Sequence, residues 1–110
     1  MTLNWLPTSN QKSMYLEIVS PEDTLFSSEV DSVMVPGING EFEMLTNHAP
    51  IVSLLGEGTV KIRVHTQNHL VYDELHGDIT PHFEDQKVLT LKINSGTVES
   101  KDNKVIVLAD

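Results

Sequence analysis

Cysteine is absent from this chain, so disulfides, zinc–thiolate sites and thiol nucleophiles are all excluded. Arginine is nearly absent: Arg63 is the only one, against the several that an organelle transit peptide or a phosphate-gripping surface needs. Aromatic residues make up 5% of the sequence. No apolar run approaches the ~20 residues that a bilayer-spanning helix requires, and the first residues carry neither a basic start nor a long apolar stretch. A sustained 3.6-residue period is missing too. No window of twelve or more residues places its apolar side chains on one helical face, and the nearest approach, residues 65–76, reads as a hairpin or irregular insertion.

Negative charge is plentiful. The 110 residues carry a formal charge of −9, unevenly distributed. Residues 1–57 hold eight carboxylates and one lysine, whereas residues 58–110 hold eight carboxylates and six bases. Clustered cations for nucleic-acid phosphates are lacking, and an anionic lipid surface would repel the chain. A basic protein partner is the natural complement, with a solubilising surface as the plain alternative.

From Met14 onward the sequence reads as short alternating strands separated by turn residues. The expected strands are 14–19, 24–28, 30–35, 41–45, 51–55, 59–64, 88–93, 97–100 and 104–108. The clearest are Thr59–Val64, with Val60, Ile62 and Val64 on one side and Lys61 and Arg63 on the other, and Val88–Ile93, with Leu89, Leu91 and Ile93 aligned. Eight to ten strands at this spacing predict an all-β fold, a β-sandwich of two antiparallel sheets. Residues 1–13 are expected to be a flexible extension, 14–110 one domain, and about 66–86 a polar insertion.

The most informative stretch is Val33–Pro50. An apolar strand runs into Pro36-Gly37, a tight Asn39-Gly40 turn follows, Glu41 and Glu43 project from one side of the next strand, and His48-Ala49-Pro50 makes a corner. Two like charges spaced this way are costly unless they are solvated or met by a cation. The pair is therefore either a solvated edge that discourages strand-to-strand aggregation or a docking point for a basic loop.

Chemistry-bearing constellations are weak. His65, His69, His76 and His82 share one segment with Asp73, Glu74 and Asp78, and His65/His69 have the spacing of two metal ligands on a helix. The glutamate that a metalloprotease helix places between two such histidines is absent, and the segment reads as a loop. There is no Gly-x-Ser-x-Gly elbow and no Walker loop. No catalytic residue, metal ligand or cofactor is expected.

Several motifs then agree in order and spacing. Leu16-Glu-Ile-Val-Ser-Pro-Glu22, Phe26-Ser27 and Val30-Asp-Ser-Val33 come first; Pro36-Gly-Ile-Asn-Gly-Glu41 with Asn47-His-Ala-Pro50 follows; Ser95-Gly-Thr-Val-Glu99 and the closing Asp102–Asp110 complete the set. Together they make residues 14–110 resemble the epsilon subunit of the F-type ATP synthase, in its N-terminal β-sandwich. The resemblance implies a non-catalytic central-stalk (rotor) subunit that bridges the gamma subunit and the c-ring and couples proton flow to ATP synthesis. It implies a c-ring side at Gly40 and Glu41, with Glu43 nearby, a gamma side at His48, and a peripheral position on the cytoplasmic face of a bacterial cell membrane. Many family members continue into a C-terminal helical hairpin. Here the chain is expected to end at the sandwich, so no restraint of hydrolysis by an extended helix and no nucleotide sensing is expected. The competing reading is a free-standing sandwich that binds a metal or small ligand through its histidine-rich insertion.

Overall fold

In a computed structural model of the chain, the described residues are 14–64, 80–81 and 88–110. They form ten strands and no helix: β1 (Met14–Val19), β2 (Thr24–Val30), β3 (Ser32–Gly37), β4 (Gly40–Leu45), β5 (Ile51–Leu55), β6 (Gly58–Arg63), β7 (Thr80–Pro81), β8 (Val88–Ile93), β9 (Gly96–Lys101) and β10 (Lys104–Ala109). The hydrogen-bonded order is β2-β1-β10-β9-β5-β3-β6-β8-β7, with β4 on the edge of β3. The β5–β3 link is a single residue pair, Gly37 opposite Leu55. That one pair divides the order into a sheet A (β2-β1-β10-β9-β5) and a sheet B (β4-β3-β6-β8-β7), the expected sandwich.

Alternation builds the core. Met14, Leu16 and Ile18 of β1, Val105, Val107 and Ala109 of β10, and Val98 of β9 are buried from sheet A; Val33, Val35, Met44, Val60, Ile62, Leu89 and Leu91 meet them from sheet B in one cluster. Fully burying a side chain of this size contributes about 1.5–3 kcal/mol, so these two inner faces carry most of the stability.

Three departures from the expected strands have local causes. Val30 belongs to β2, where it pairs with Met14, and the break falls at Asp31, whose N–H donates to the Arg63 carbonyl. Strand β3 therefore begins at Ser32 and continues to Gly37. The short β7 pairs with β8 inside the region expected to be an insertion, and among the described residues it is the outermost strand of sheet B, a place where a proline such as Pro81 is tolerated. Finally, the ladder between β1 and β10 is parallel, while all other pairings are antiparallel. It joins the first and last strands of the described domain, which share no tight turn to force them antiparallel.

Candidate functional site

The turn between β3 and β4 has Ile38 and Asn39 as its loop residues, closed by the Gly37–Gly40 pair. Gly40 opens β4 at φ 127°, a left-handed conformation that a side chain adopts only with strain. Asn39 and Gly40 are exposed, and Ile38 is 60% exposed at the apex. The Ile38 N–H donates to the Leu54 carbonyl and the Gly56 N–H to the Pro36 carbonyl, so the end of β5 fastens the tip.

Glu41 and Glu43 lie on the outward side of β4 and both are exposed, while Phe42 and Met44 point inward. The cation that meets Glu41 comes from the same chain: Lys61 Nζ lies 3.9 Å from Glu41 Oε2. With both side chains nearly half exposed, this is a surface ion pair and water screens it.

At the far end of β4 the chain reverses. The His48 N–H donates to the Leu45 carbonyl across a tight turn in which Asn47 has φ 67°. Asparagine tolerates that left-handed backbone better than most residues. The half-buried His48 ring is tied to its own neighbour, with Nδ1 2.7 Å from the Ala49 carbonyl. The Asn47 N–H donates to Asn103 Oδ1 at 2.6 Å. Gly40 and Glu41 thus sit at one end of β4 and His48 beyond the other, with Glu43 past the middle of the strand. The strand has 6 residues, a separation of about 20 Å at ~3.3 Å rise per residue.

Sequence reasoning missed a second surface. On the outward face of sheet A, the register aligns Leu54, Thr97, Leu108 and Val19 in one row and Val52, Glu99, Ile106 and Glu17 in the next. Val52 is 74%, Leu54 58% and Leu108 53% exposed. Single exposed apolar side chains are ordinary, but several in adjoining rows mark an interaction surface. The sequence signal was faint: β5 has four apolar residues in five, so its pattern alone does not say which side faces water.

Among the described residues no group of three or more His, Asp or Glu side chains is placed to hold a metal ion. The histidine-rich stretch with His65, His69, His76 and His82, along with residues 1–13, lies outside the described residues. Among the described residues no helix is long and apolar enough to cross a membrane.

Comparison with known proteins bears on the family and the fold. A family model described as the beta-sandwich domain of the ATP synthase delta/epsilon chain matches residues 13–73. An ATP synthase epsilon chain from Leptospira interrogans (serovar copenhageni) is 36% identical over 86% of this chain and 59% of its own length. One from Campylobacter curvus is 37% identical over 88% of this chain and 60% of its own. The chain therefore spans about three fifths of the length of these relatives. Among solved structures, a chain of the Euglena gracilis mitochondrial ATP synthase OSCP/F1/c-ring assembly superposes with a TM-score of 0.68 at 13% identity, covering 99% of this chain and 58% of the other. A chain of the Tetrahymena thermophila mitochondrial ATP synthase central stalk and c-ring gives 0.63 at 14% identity, over 89% of this chain and 63% of the other. At such identities the two structures establish a shared fold.

Proposed function

The chain belongs to the ATP synthase delta/epsilon β-sandwich family, and on that premise we propose that it is a non-catalytic subunit of the central stalk that holds the gamma subunit on one surface and the c-ring on another. Its Gly40-Glu41 tip, with Glu43 behind it, meets polar loops of the c-ring. Its His48 corner and the apolar outer face of sheet A meet gamma. The assembly sits peripherally at the cytoplasmic face of a bacterial cell membrane, and the subunit contributes no chemistry of its own.

The observation that carries this reading is the separation of two unlike surfaces by one stiff element. The acidic tip and the His48 corner lie toward opposite ends of β4, and the exposed Val52 and Leu54 run along β5 between the same two ends. β5 is hydrogen-bonded to β9 along its length, so a torque applied at the tip is passed to the corner with little bending. A standard protein interface buries about 1,600 Å² in total, and two such contacts resist slippage between rotating bodies better than one.

Exchange of both acids, Glu41→Lys with Glu43→Lys, tests the c-ring side. The expected result is a folded domain that still associates with gamma, in membranes whose ATP-driven proton pumping falls several-fold relative to ATP turnover, because like charges now face each other across a polar contact. Unchanged pumping per ATP removes the tip from the contact.

A further inference from the structure

Two segments far from it in sequence, at Tyr15 and at Asn47, converge on Asn103. It is the second residue of the two-residue loop joining β9 to β10, where Asp102 (φ 53°) and Asn103 (φ 63°) both have the left-handed backbone that a primed hairpin turn requires. Its backbone carbonyl accepts from the Tyr15 N–H at 2.9 Å, fastening the start of β1. Its side-chain oxygen accepts from the Asn47 N–H at 2.6 Å, and its side-chain nitrogen donates to Asn47 Oδ1 at 3.2 Å. A backbone N–H can only donate, so it fixes the Asn103 amide with the oxygen toward it. The nitrogen then faces the Asn47 carbonyl group, and the pair closes as a two-bond clasp.

Asn47 is the residue immediately before His48, and it is strained into the left-handed region without being glycine. A turn of this kind persists only when its surroundings over-determine it. The Leu45–His48 backbone hydrogen bond supplies one constraint, and the Asn103 clasp supplies two more, from a different hairpin. The same hairpin carries Leu108 on its second strand and Thr97 and Glu99 on its first, so the clasp refers the corner to the outer face of sheet A.

We propose that Asn103 is the positioning residue of the gamma-facing surface: through its clasp with Asn47 it holds the His48 corner in one orientation relative to the apolar face. The proposal rests on the gamma-docking reading above. Without the clasp the corner samples other orientations, and affinity falls by the fraction of time the competent one is occupied. A tenth occupancy gives about a tenfold weaker apparent affinity.

Asn103→Gly removes the clasp and keeps the left-handed turn that glycine adopts freely, so the hairpin and the Tyr15 bond survive. Two measurements on the full chain follow: hydrogen exchange at the Asn47 and Tyr15 amides, and affinity for a gamma-containing stalk assembly. The expected result is faster exchange at Asn47 with Tyr15 unchanged, and about tenfold weaker binding. Asn103→Asp, which keeps an acceptor for the Asn47 N–H, should recover most of the Asn47 protection and part of the affinity. Asn47→Gly in the Asn103→Gly background should weaken binding no further. Wild-type affinity in Asn103→Gly overturns the proposal, whether or not exchange at Asn47 rises. A wild-type chain that fails to bind gamma overturns the docking reading instead, and the exchange arm then still reports on the clasp alone.

Discussion

The two sheets bury nearly the same kind of side chain and differ in how many apolar side chains they gather on the side toward water. Sheet B turns Glu41, Glu43, Lys61, Arg63 and Lys92 outward, all exposed, with Leu45 at the end of β4 also outward at 54%. Sheet A turns Val52, Leu54, Ile106, Leu108 and Val19 outward in adjoining rows, with Glu17 and Glu99 among them and Glu29, Lys101 and Lys104 toward one end of the same face. Both faces satisfy the alternation that makes a sandwich, so folding does not account for the difference. A charged outer face keeps a domain soluble and its edge strand unsociable, whereas adjoining exposed valine and leucine side chains are the usual mark of an interaction surface.

The largest expected effect breaks sheet A itself. An added Cβ at Gly96 would lie 2.3 Å from the Leu108 carbonyl oxygen, a backbone atom that cannot swing aside. Gly96→Val should force β9 from β10 and cost more than about 3 kcal/mol, beyond the usual range for overpacking. Urea unfolding measures it. By contrast an added Cβ at Gly40, the corresponding tip position in sheet B, meets nothing within 4 Å, and only its φ of 127° is unfavourable. Gly40→Ala should therefore cost about 1–3 kcal/mol, the scale of one strained backbone conformation. Equal losses at the two sites would mean that sheet A is not packed as described.

The second effect separates binding from stability. Val52→Asp with Leu54→Asp places charge on side chains that are already 74% and 58% exposed, so the folded state loses little burial. The unfolding midpoint should stay within the ±0.5 kcal/mol typical of surface substitutions. Affinity for gamma should drop at least about a hundredfold, since an unpaired charge buried in a contact costs several kcal/mol. The same exchange on the charged face, at Thr59 and Thr90, should leave gamma binding alone. Loss of binding from both faces would erase the distinction between them.

How much of this was legible in the residues follows from the range of each interaction. The inward faces of β6 and β8 were readable because Val60-x-Ile62 and Leu89-x-Leu91-x-Ile93 alternate with more polar neighbours, and a period of two is a local property. The existence of the tip was readable too, from Pro36-Gly37 and Asn39-Gly40 between two strands, although its two loop residues are Ile38 and Asn39 and Gly40 already opens β4. The apolar face was not. In Ile51-Val52-Ser53-Leu54-Leu55 the side toward water is decided by Ser53 lying opposite the buried Val98, a register set across the sheet. The limits of β2 and β3 hinged on Asp31, which breaks the run through a backbone bond to residue 63. The Asn47–Asn103 clasp joins residues 56 apart through amides that look like two unrelated turn formers in the sequence. Periodicity reports the inside of a sheet; what its outside does depends on which strands become neighbours.

The smallest expected effect concerns the Glu41–Lys61 pair, and it sharpens what the charged face is for. At 3.9 Å, with side chains 44% and 49% exposed, the pair is long and wet. Exposed pairs of this kind contribute about 0–1 kcal/mol and weaken as salt rises. Lys61→Ala should then shift the unfolding midpoint by no more than a few degrees, the shift that about 1 kcal/mol makes in a domain of this size. Binding at the tip should respond in the opposite sense. With Lys61 gone, Glu41 has lost its intramolecular partner and is free for a cation on the c-ring, so association should tighten slightly at low salt and the gain should vanish at high salt. If Lys61→Ala instead destabilises the domain strongly and leaves association untouched, the carboxylate serves the sandwich and the acidic tip is a solubilising edge.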